Sequence, residues 1–289
     1  MSEHLKYHMW KRIFLYLIIL SISSLIGVAI SALFTLAGDT GMKLGQGFSS
    51  FMMFVVPPIV FYFITRYDDQ LEALGLRSPA EPQWIILIGV VLMFVSLPVT
   101  NQLARWNESM TFTADFKELE DYLKMLEDTA TAATEKMLNV DTFGGLLLNL
   151  LVIALIPAIG EELTFRGVLQ QGLMRKMNPH VAIFITAAIF SFIHFQFYGF
   201  LPRMFLGLLL GYMFYITGSL WTSILMHFVN NGTAVLLYYL NHKDIINIDP
   251  EHFGEVSISW VVMISLGVTA LLVYWSWWQI DYTEKGGNY

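Results

Sequence analysis

The chain has 289 residues, of which 56% are hydrophobic and 13% are charged, and its formal net charge is −7. A soluble globular domain carries about 25% charged residues, so this composition excludes an ordinary soluble domain and indicates a polytopic membrane protein. The chain contains no cysteine, which excludes a cysteine nucleophile, thiolate metal ligands and disulfide bonds.

Eight apolar runs along the chain reach or approach the length that crosses a bilayer as a helix. We therefore expect an all-α, polytopic transmembrane bundle that forms a single integral membrane domain, residues 1–289. The first run is too long for the apolar part of a signal peptide, so we expect it to be retained as the first helix. The predicted spans are roughly 13–36, 47–65, 84–104, 143–173, 180–198, 202–217, 220–240 and 258–280.

Basic residues flank the first, second and fourth predicted spans on what would be one side of the membrane. The positive-inside rule predicts that this side is cytoplasmic, with both termini on it. The expected location is the cell inner (plasma) membrane, with the 105–142 segment facing outward. The basic residues are Lys11 with Arg12, Arg66 with Arg77, and Arg175 with Lys176.

The 105–142 segment is predicted to be an extramembrane acidic loop that contains an amphipathic helix. Two interpretations are open: a surface helix lying on the membrane or on the bundle, which we favour, or a lid or substrate-docking element. The apolar residues that fall on one helical stripe are Phe116, Leu119, Tyr122, Leu123 and Leu126.

The segment from Ile156 to Gly167 places charged groups inside an otherwise apolar run. Glu161 and Glu162 are the only acidic residues between positions 143 and 240, so any carboxylate chemistry in this region must use them. Charged groups in a bilayer are costly unless they are paired, and an intramembrane charge is therefore a functional-site hypothesis.

Helical geometry separates the two acids. Glu162 and Arg166 are four residues apart, so they share a helix face and can form an ion pair. Glu161 lies five residues before Arg166 and about 140° away around the helix, which leaves it without this partner. We therefore predict that Glu162 and Arg166 support the site and that Glu161 is free to act as a general base. A purely structural ion pair that fixes helix packing is the alternative.

Two histidines on later helices complete the candidate set. His194 ends the stretch from Phe190, and His227 shares a helix face with Asn231, whereas Asn230 points about 60° away and is a weaker candidate. An imidazole and a carboxamide side by side can donate hydrogen bonds to a developing oxyanion. Taken alone, each could instead be a packing residue or an interhelical hydrogen bond.

Together, these groups would suit water activation with oxyanion stabilisation. The predicted spans place Glu161, His194 and His227 about 17, about 21 and about 10 Å from the cytoplasmic helix ends, at 1.5 Å per residue. Whether these side chains meet is therefore a prediction for the structure to test.

Three sequence blocks resemble the motifs of the CAAX protease and bacteriocin-processing (CPBP, also called Abi) family of intramembrane proteases. They match in order and at family-like spacing, within a predicted catalytic core at residues 143–240. The Leu-Gly-Leu-Arg turn that ends at Arg77 also looks like the family. The blocks are Glu161-Glu162-Leu-Thr-Phe-Arg166, Phe190-Ser-Phe-Ile-His194 and His227-Phe-Val-Asn-Asn231.

The resemblance implies peptide-bond hydrolysis by water in a cavity that opens toward the membrane and the cytosol. Glu161 and His194 would activate the water, His227 and Asn231 would stabilise the oxyanion, and Glu162 with Arg166 would order the site. The family is often called a metalloprotease, and Glu161, His194 and His227 could supply a three-ligand Zn²⁺ site. The same residues suffice without a metal, which is the scheme we slightly prefer.

The expected partners are the lipid bilayer and a membrane-associated peptide or protein substrate, either prenylated and CAAX-type or bacteriocin-type. No basic patch interleaved with aromatic residues suggests nucleic acid. One alternative function is a non-catalytic bacteriocin-immunity or scaffolding membrane protein of the same fold. Another is a proton-coupled transporter that relays protons through Glu161 or Glu162, although the chain shows no internal repeat.

Overall fold

The computed structural model of the chain describes residues 3–65, 74–79, 83–250, 253–256 and 258–284, and Arg66 lies outside these ranges. Every regular element within the described ranges is helical, as predicted. The α-helices are α1 (Glu3–Phe34), α2 (Gly38–Ser50), α3 (Val56–Thr65), α4 (Ile85–Val95), α5 (Leu97–Glu108), α6 (Lys117–Leu138), α7 (Phe143–Asn149), α8 (Ile156–Glu162), α9 (Gln171–Met174), α10 (Pro179–Phe192), α11 (Phe200–Thr217), α12 (Leu220–His242) and α13 (Ser259–Glu284).

Among the described residues, four helical stretches are long and apolar enough to cross a membrane, and the bent pair α4–α5 would make a fifth. The protein is therefore a helical membrane protein, but the predicted count of about eight spans is not confirmed. Helix α10 is apolar but short, and α12 contains two histidines and three asparagines, which lower its hydropathy. The four stretches are Lys11–Thr65, Phe143–Met174, Phe197–Thr217 and Ser259–Ile280.

The third predicted span, 84–104, is broken rather than continuous. Helices α4 and α5 meet at Ser96 with a bend of 43°. Pro98 stands at the start of α5, where it cannot donate the hydrogen bond that would continue α4. The helix after the bend runs to Glu108, four residues beyond the predicted end.

Polar contacts gather at two opposite ends of the bundle. At one end, Arg77 donates from Nε to the Gly218 carbonyl at 2.6 Å, and the Leu220 amide donates to the Gly75 carbonyl at 2.8 Å. The family-like turn thus docks against the start of α12. The other end, called the α6 end below, is closed by ion pairs of Lys136 with Asp39 at 3.2 Å, His242 with Asp141 at 3.0 Å, and Arg105 with Glu255.

Close packing of α10 on α11 depends on a small residue at position 207. A Cβ atom built on Gly207 would lie 3.1 Å from both Cα and Cβ of Ala187, so the two backbones are in near contact. A large apolar cluster that includes Leu92, Leu210 and Met226, all fully buried, joins α4, α11 and α12 on the other side. These contacts fix α11 and α12 behind the candidate site.

Helix α6 confirms the predicted helix in the 105–142 segment, but its apolar stripe divides in two. Phe116, Leu119 and Tyr122 are exposed, whereas Leu123 and Leu126 are half-buried against the bundle. The inward face is partly acidic instead of uniformly apolar. Its Glu120 is 4% exposed and accepts a hydrogen bond from Lys124 at 2.7 Å.

Candidate active site

The two acids end α8, which lies between two π-helical segments, Leu150–Leu155 and Leu163–Gln170. Such widened turns occur often at functional sites, because they redirect side chains that a regular helix would align. Gly160 lets this helix approach α2–α3 closely, since a Cβ there would lie 2.8 Å from the Phe54 Cβ. The Thr164 hydroxyl then donates to the Phe54 carbonyl at 2.9 Å and fixes the contact.

Glu162 is fully buried and forms the predicted pair with Arg166. Arg166 Nη1 donates to Glu162 Oε1 at 2.7 Å, and both side chains have zero exposure. The same carboxylate oxygen lies 3.0 Å from His227 Nδ1. Glu162 therefore joins its own helix to α12, which the spacing of the sequence did not reveal.

Arg166 has further partners on neighbouring helices. Its Nη2 donates to the Gly207 carbonyl at 2.9 Å, and one turn later Gln170 Nε2 donates to the Gly211 carbonyl at 2.9 Å. The guanidinium also lies 4.9 Å from the centre of the Phe190 ring, within cation–π range. The charge of Arg166 is thus compensated in a place that excludes water.

Glu161 lies in a different environment from its neighbour. It is 9% exposed and faces a cavity, and its nearest described charged partner is His227, whose Nε2 lies 3.8 Å from Glu161 Oε2. The side chains of Glu161 and His227 therefore lie close together, although the predicted spans place them at different depths in the membrane. His227 stands between the two acids, one on each ring nitrogen.

His194 follows the last turn of α10 at the α6 end. Its Nδ1 lies 2.8 Å from the Phe190 carbonyl, and since a carbonyl only accepts, this nitrogen carries the proton. In the neutral imidazole, Nε2 then holds the lone pair that a base requires. The Phe190 ring is 1% exposed and packs edge-on against His194 at 5.2 Å and His227 at 5.9 Å, so it spaces the two imidazoles.

Glu161 and His194 line one cavity of about 330 Å³. The other four predicted site residues lie outside its lining. Two cavity residues, Thr134 and Met137, come from α6, so this helix forms part of the wall. The remaining lining residues are Gln46, Ser49, Ser50, Met53, Phe54, Val152, Ile153, Pro157 and Ile193.

The hydrogen bonds of Asn231 go to residues outside the predicted site. Its Nδ2 donates to the Ile153 carbonyl at 3.4 Å, and its Oδ1 accepts from Asn230 at 3.1 Å. Ile153 lines the cavity, so the carboxamide lies just behind that wall. The predicted role of Asn231 as an oxyanion donor stays a prediction.

The three residues considered for zinc do not fit a metal site in this arrangement. In the part of the chain that the structure describes, no group of three His, Asp or Glu side chains is close enough to hold a metal ion. We therefore derive no catalytic step through a metal.

Several residues around the site escaped the sequence-based prediction. Gly207 and Gly211 supply carbonyls to Arg166 and Gln170, and their spacing of four residues in an apolar helix was a usable signal for close helix packing. Arg203 is also a charge within a predicted span, so the argument that an intramembrane charge indicates a functional site applies to it as it does to Glu161.

Comparison with known proteins supports the sequence motifs. Residues 143–233, about a third of the chain, match the model of a family described as type II CAAX prenyl endopeptidase Rce1-like. No curated protein and no solved structure matches the chain. The matched residues contain all three motif blocks. The predicted resemblance is thus confirmed by a family match that covers residues 143–233.

Proposed function

We propose that the protein is an intramembrane endopeptidase that hydrolyses peptide bonds of membrane-associated substrates with an activated water. The observation that carries this proposal is the shared cavity of Glu161 and His194, backed by the buried cluster of Glu162, Arg166 and His227. The Rce1-like match supports CAAX-type protease activity in general terms.

In the proposed reaction, a water binds between the Glu161 carboxylate and the unprotonated Nε2 of His194. One of these bases takes a proton as the water oxygen attacks the carbonyl carbon of the scissile bond. The tetrahedral intermediate then collapses, the C–N bond breaks, and the same proton passes to the leaving amine. The products are a carboxylic acid and an amine, which exchange a proton to give a carboxylate and an ammonium ion, so atoms and charge balance without a further reactant.

The oxyanion of the intermediate requires hydrogen-bond donors aimed at the reacting carbonyl. His227 is our first candidate, and Asn231 is the second. Since Nδ1 of His227 is held by Glu162, His227 can donate to an oxyanion only when Nε2 also carries a proton. Glu161 Oε2 lies 3.8 Å from that nitrogen, and Glu162 Oε1 lies 3.0 Å from Nδ1.

Glu162 and Arg166 are assigned a supporting role in this scheme. Both are completely buried, and they connect three helices through the His227 and Gly207 contacts. A catalytic group must stay within about 0.5 Å of its productive position, which such a fixed cluster favours. We propose that it holds His227 and the end of α8 in place.

The proposed substrate is a membrane-tethered protein whose scissile bond reaches the cavity as an extended segment. Prenylated CAAX-type proteins are the first candidates, because the matching family is described by that activity. Bacteriocin-type precursors are the second. The cavity wall mixes polar groups, such as Ser49 and Thr134, with apolar ones, such as Met53 and Val152, which suits a peptide with both kinds of side chain.

The test compares the termini of membrane proteins in cells that express the parent chain or Glu161→Gln. Peptides cut only by the parent chain are then made synthetically and offered to purified protein in proteoliposomes. The proposal expects cleavage by the parent and none by Glu161→Gln, with equal amounts of folded protein. Full cleavage by the variant would overturn it. A biological effect that survives alanine at Glu161, His194 and His227 would favour the non-catalytic alternative.

A further inference from the structure

The turn that follows His194 is held by residues from three other elements. Asn107, which is 1% exposed, donates from Nδ2 to the Phe197 carbonyl at 2.9 Å and accepts from the Leu201 amide at 2.7 Å. These two bonds fix the far end of the turn to α5. The near end, next to His194, is held differently.

Glu127 of α6 holds the middle of the turn. One of its oxygens accepts from the Tyr198 amide at 3.0 Å, and the other accepts from Gln196 Nε2 at 3.3 Å. Lys124, one turn earlier, lies 5.8 Å from the centre of the Tyr198 ring. Helix α6 therefore contacts this turn through Glu127 and Lys124. Two residues nearer its C-terminal end, Thr134 and Met137, line the cavity.

Arg203 links these groups together. It donates from Nη1 to the Gln196 carbonyl at 3.2 Å and from Nη2 to Gln196 Oε1 at 2.9 Å, and its Nη2 lies 4.0 Å from Glu127 Oε1. Glu127, Gln196 and Arg203 thus form one connected polar cluster. The cluster is two residues from His194 along the chain.

The backbone between His194 and this cluster is strained. Phe195 has φ of 53°, a left-handed conformation that a bulky residue adopts only when its surroundings force it. Its side chain is 67% exposed, so burial of the phenyl ring does not compensate the strain. The hydrogen bonds of Gln196 and Tyr198, on the residues that follow, are among the described contacts that hold this turn in place.

We propose that Glu127 is a positioning residue for His194, and that α6 completes the active site by clamping the strained turn. This inference rests on the proposed function for its kinetic consequences, but not for its geometry. Without the Glu127 carboxylate, the turn would relax away from the left-handed conformation and carry the His194 ring away from the water site. Substrate binding by the remaining cavity wall would change little.

The kinetic test compares Glu127→Ala, Glu127→Gln and the control Asp128→Asn in proteoliposomes. Asp128 is the adjacent acid, which is exposed. For Glu127→Ala we expect kcat to fall by about tenfold or more with KM within about twofold, since a small misplacement of a catalytic group lowers turnover steeply. Glu127→Gln keeps an acceptor for the Tyr198 amide and should recover most of the activity, and Asp128→Asn should match the parent.

A second measurement does not depend on activity. Because the chain has no cysteine, Ile193→Cys introduces a single thiol into the cavity wall beside His194. Its reaction with a water-soluble maleimide should be about fivefold faster when Glu127→Ala is added, because the released turn opens locally. Adding Asp128→Asn instead should leave the rate unchanged.

These measurements separate the two proposals. If the parent chain cleaves nothing, the proposed function fails, while the labelling rates still test the clamp. Equal labelling with and without Glu127→Ala, or an equal loss of kcat in Asp128→Asn, would overturn the positioning role. If Glu127→Ala aggregates, Gln196→Ala removes the shared partner of Glu127 and Arg203 and is judged by the same criteria.

Discussion

Glu161 and Glu162 are consecutive residues, yet they lie in opposite surroundings. Glu162 has no exposure and is bonded to Arg166 and His227, whereas Glu161 lines a cavity, and its ion-pair partner among the described residues is His227 at 3.8 Å. One acid is therefore part of the interior that fixes three helices, and the other is part of a cavity wall. The difference shows how one helix turn can provide both support and chemistry.

The comparison predicts that neutralising Glu161 and neutralising Glu162 have different effects on turnover and on thermal stability. Glu161→Gln should lower turnover by about 10³-fold, in the range lost with a general base, and leave the midpoint of thermal unfolding in detergent unchanged. Glu162→Gln should lower both, because Arg166 would be buried without its counter-charge. Parallel activity and unfolding assays check this. Equal changes in turnover and in the unfolding midpoint of the two variants would contradict the proposed difference between Glu161 and Glu162.

Removing the other partner of the interior pair should affect stability most. Arg166→Met leaves the Glu162 carboxylate buried with only His227, and losing one partner of a buried pair costs about 3–5 kcal/mol. Denaturant unfolding in mixed micelles would measure this. The double variant Glu162→Leu, Arg166→Met should recover much of the stability but no activity. Wild-type stability in Arg166→Met would contradict the supporting role.

A smaller loss of stability is expected at Gly207, whose backbone carbonyl accepts a hydrogen bond from Arg166. Gly207→Ala would press a Cβ against Ala187 at 3.1 Å and disturb the carbonyl that binds Arg166, for a loss of about 1–3 kcal/mol. The matched control is Gly172→Ala in α9, where nothing lies within 4 Å of the new Cβ. That change should be neutral or slightly stabilising, because alanine favours a helix. Equal effects of the two changes would argue against close packing at position 207.

The smallest effect concerns an acid outside the candidate membrane-spanning helices. The hydrogen bond from Lys124 holds the pKa of Glu120 below its usual value of 4.5. A lowered pKa means that ionised Glu120 stabilises α6 at neutral pH, and that this contribution is lost as the pH falls through the lowered value. Hydrogen-exchange protection of residues 112–124 should therefore drop below about pH 4. Glu120→Gln should remove this pH dependence, and its persistence there would assign the effect to another group.

Much of the site could be predicted from the sequence because helical spacing is regular. The four-residue separation of Glu162 and Arg166 gave the correct pair, and the three motifs gave the family that residues 143–233 match. The bond from His227 to Glu162 could not be predicted, since it depends on how two helices distant in the chain are staggered. The π-helical turns on both sides of α8 also defeat any estimate based on one fixed angle per residue.

The all-α class of the fold could be predicted from the sequence, but the division of the chain into separate helices could be predicted less well. Hydropathy found the apolar runs, whereas the break at Ser96 depends on Pro98, which the span boundaries ignored. The stripe on α6 was found, but a periodic pattern does not say which side faces the protein. Glu120 accepts a hydrogen bond from the Phe112 amide and Glu127 accepts one from the 196–198 turn, and such polar partners leave no periodic signal.

The position of α6 in the cavity wall has a consequence for the compartment in which cleavage products appear. Thr134 and Met137 put α6 in the wall of the cavity, so if the protein cleaves as proposed, the hydrophilic part of a substrate would approach from the side of the membrane where α6 lies. The charge pattern predicts the outer side, and the family resemblance implies the cytosolic side. A topology reporter fused within α6 would thus also identify the compartment that receives the released fragments.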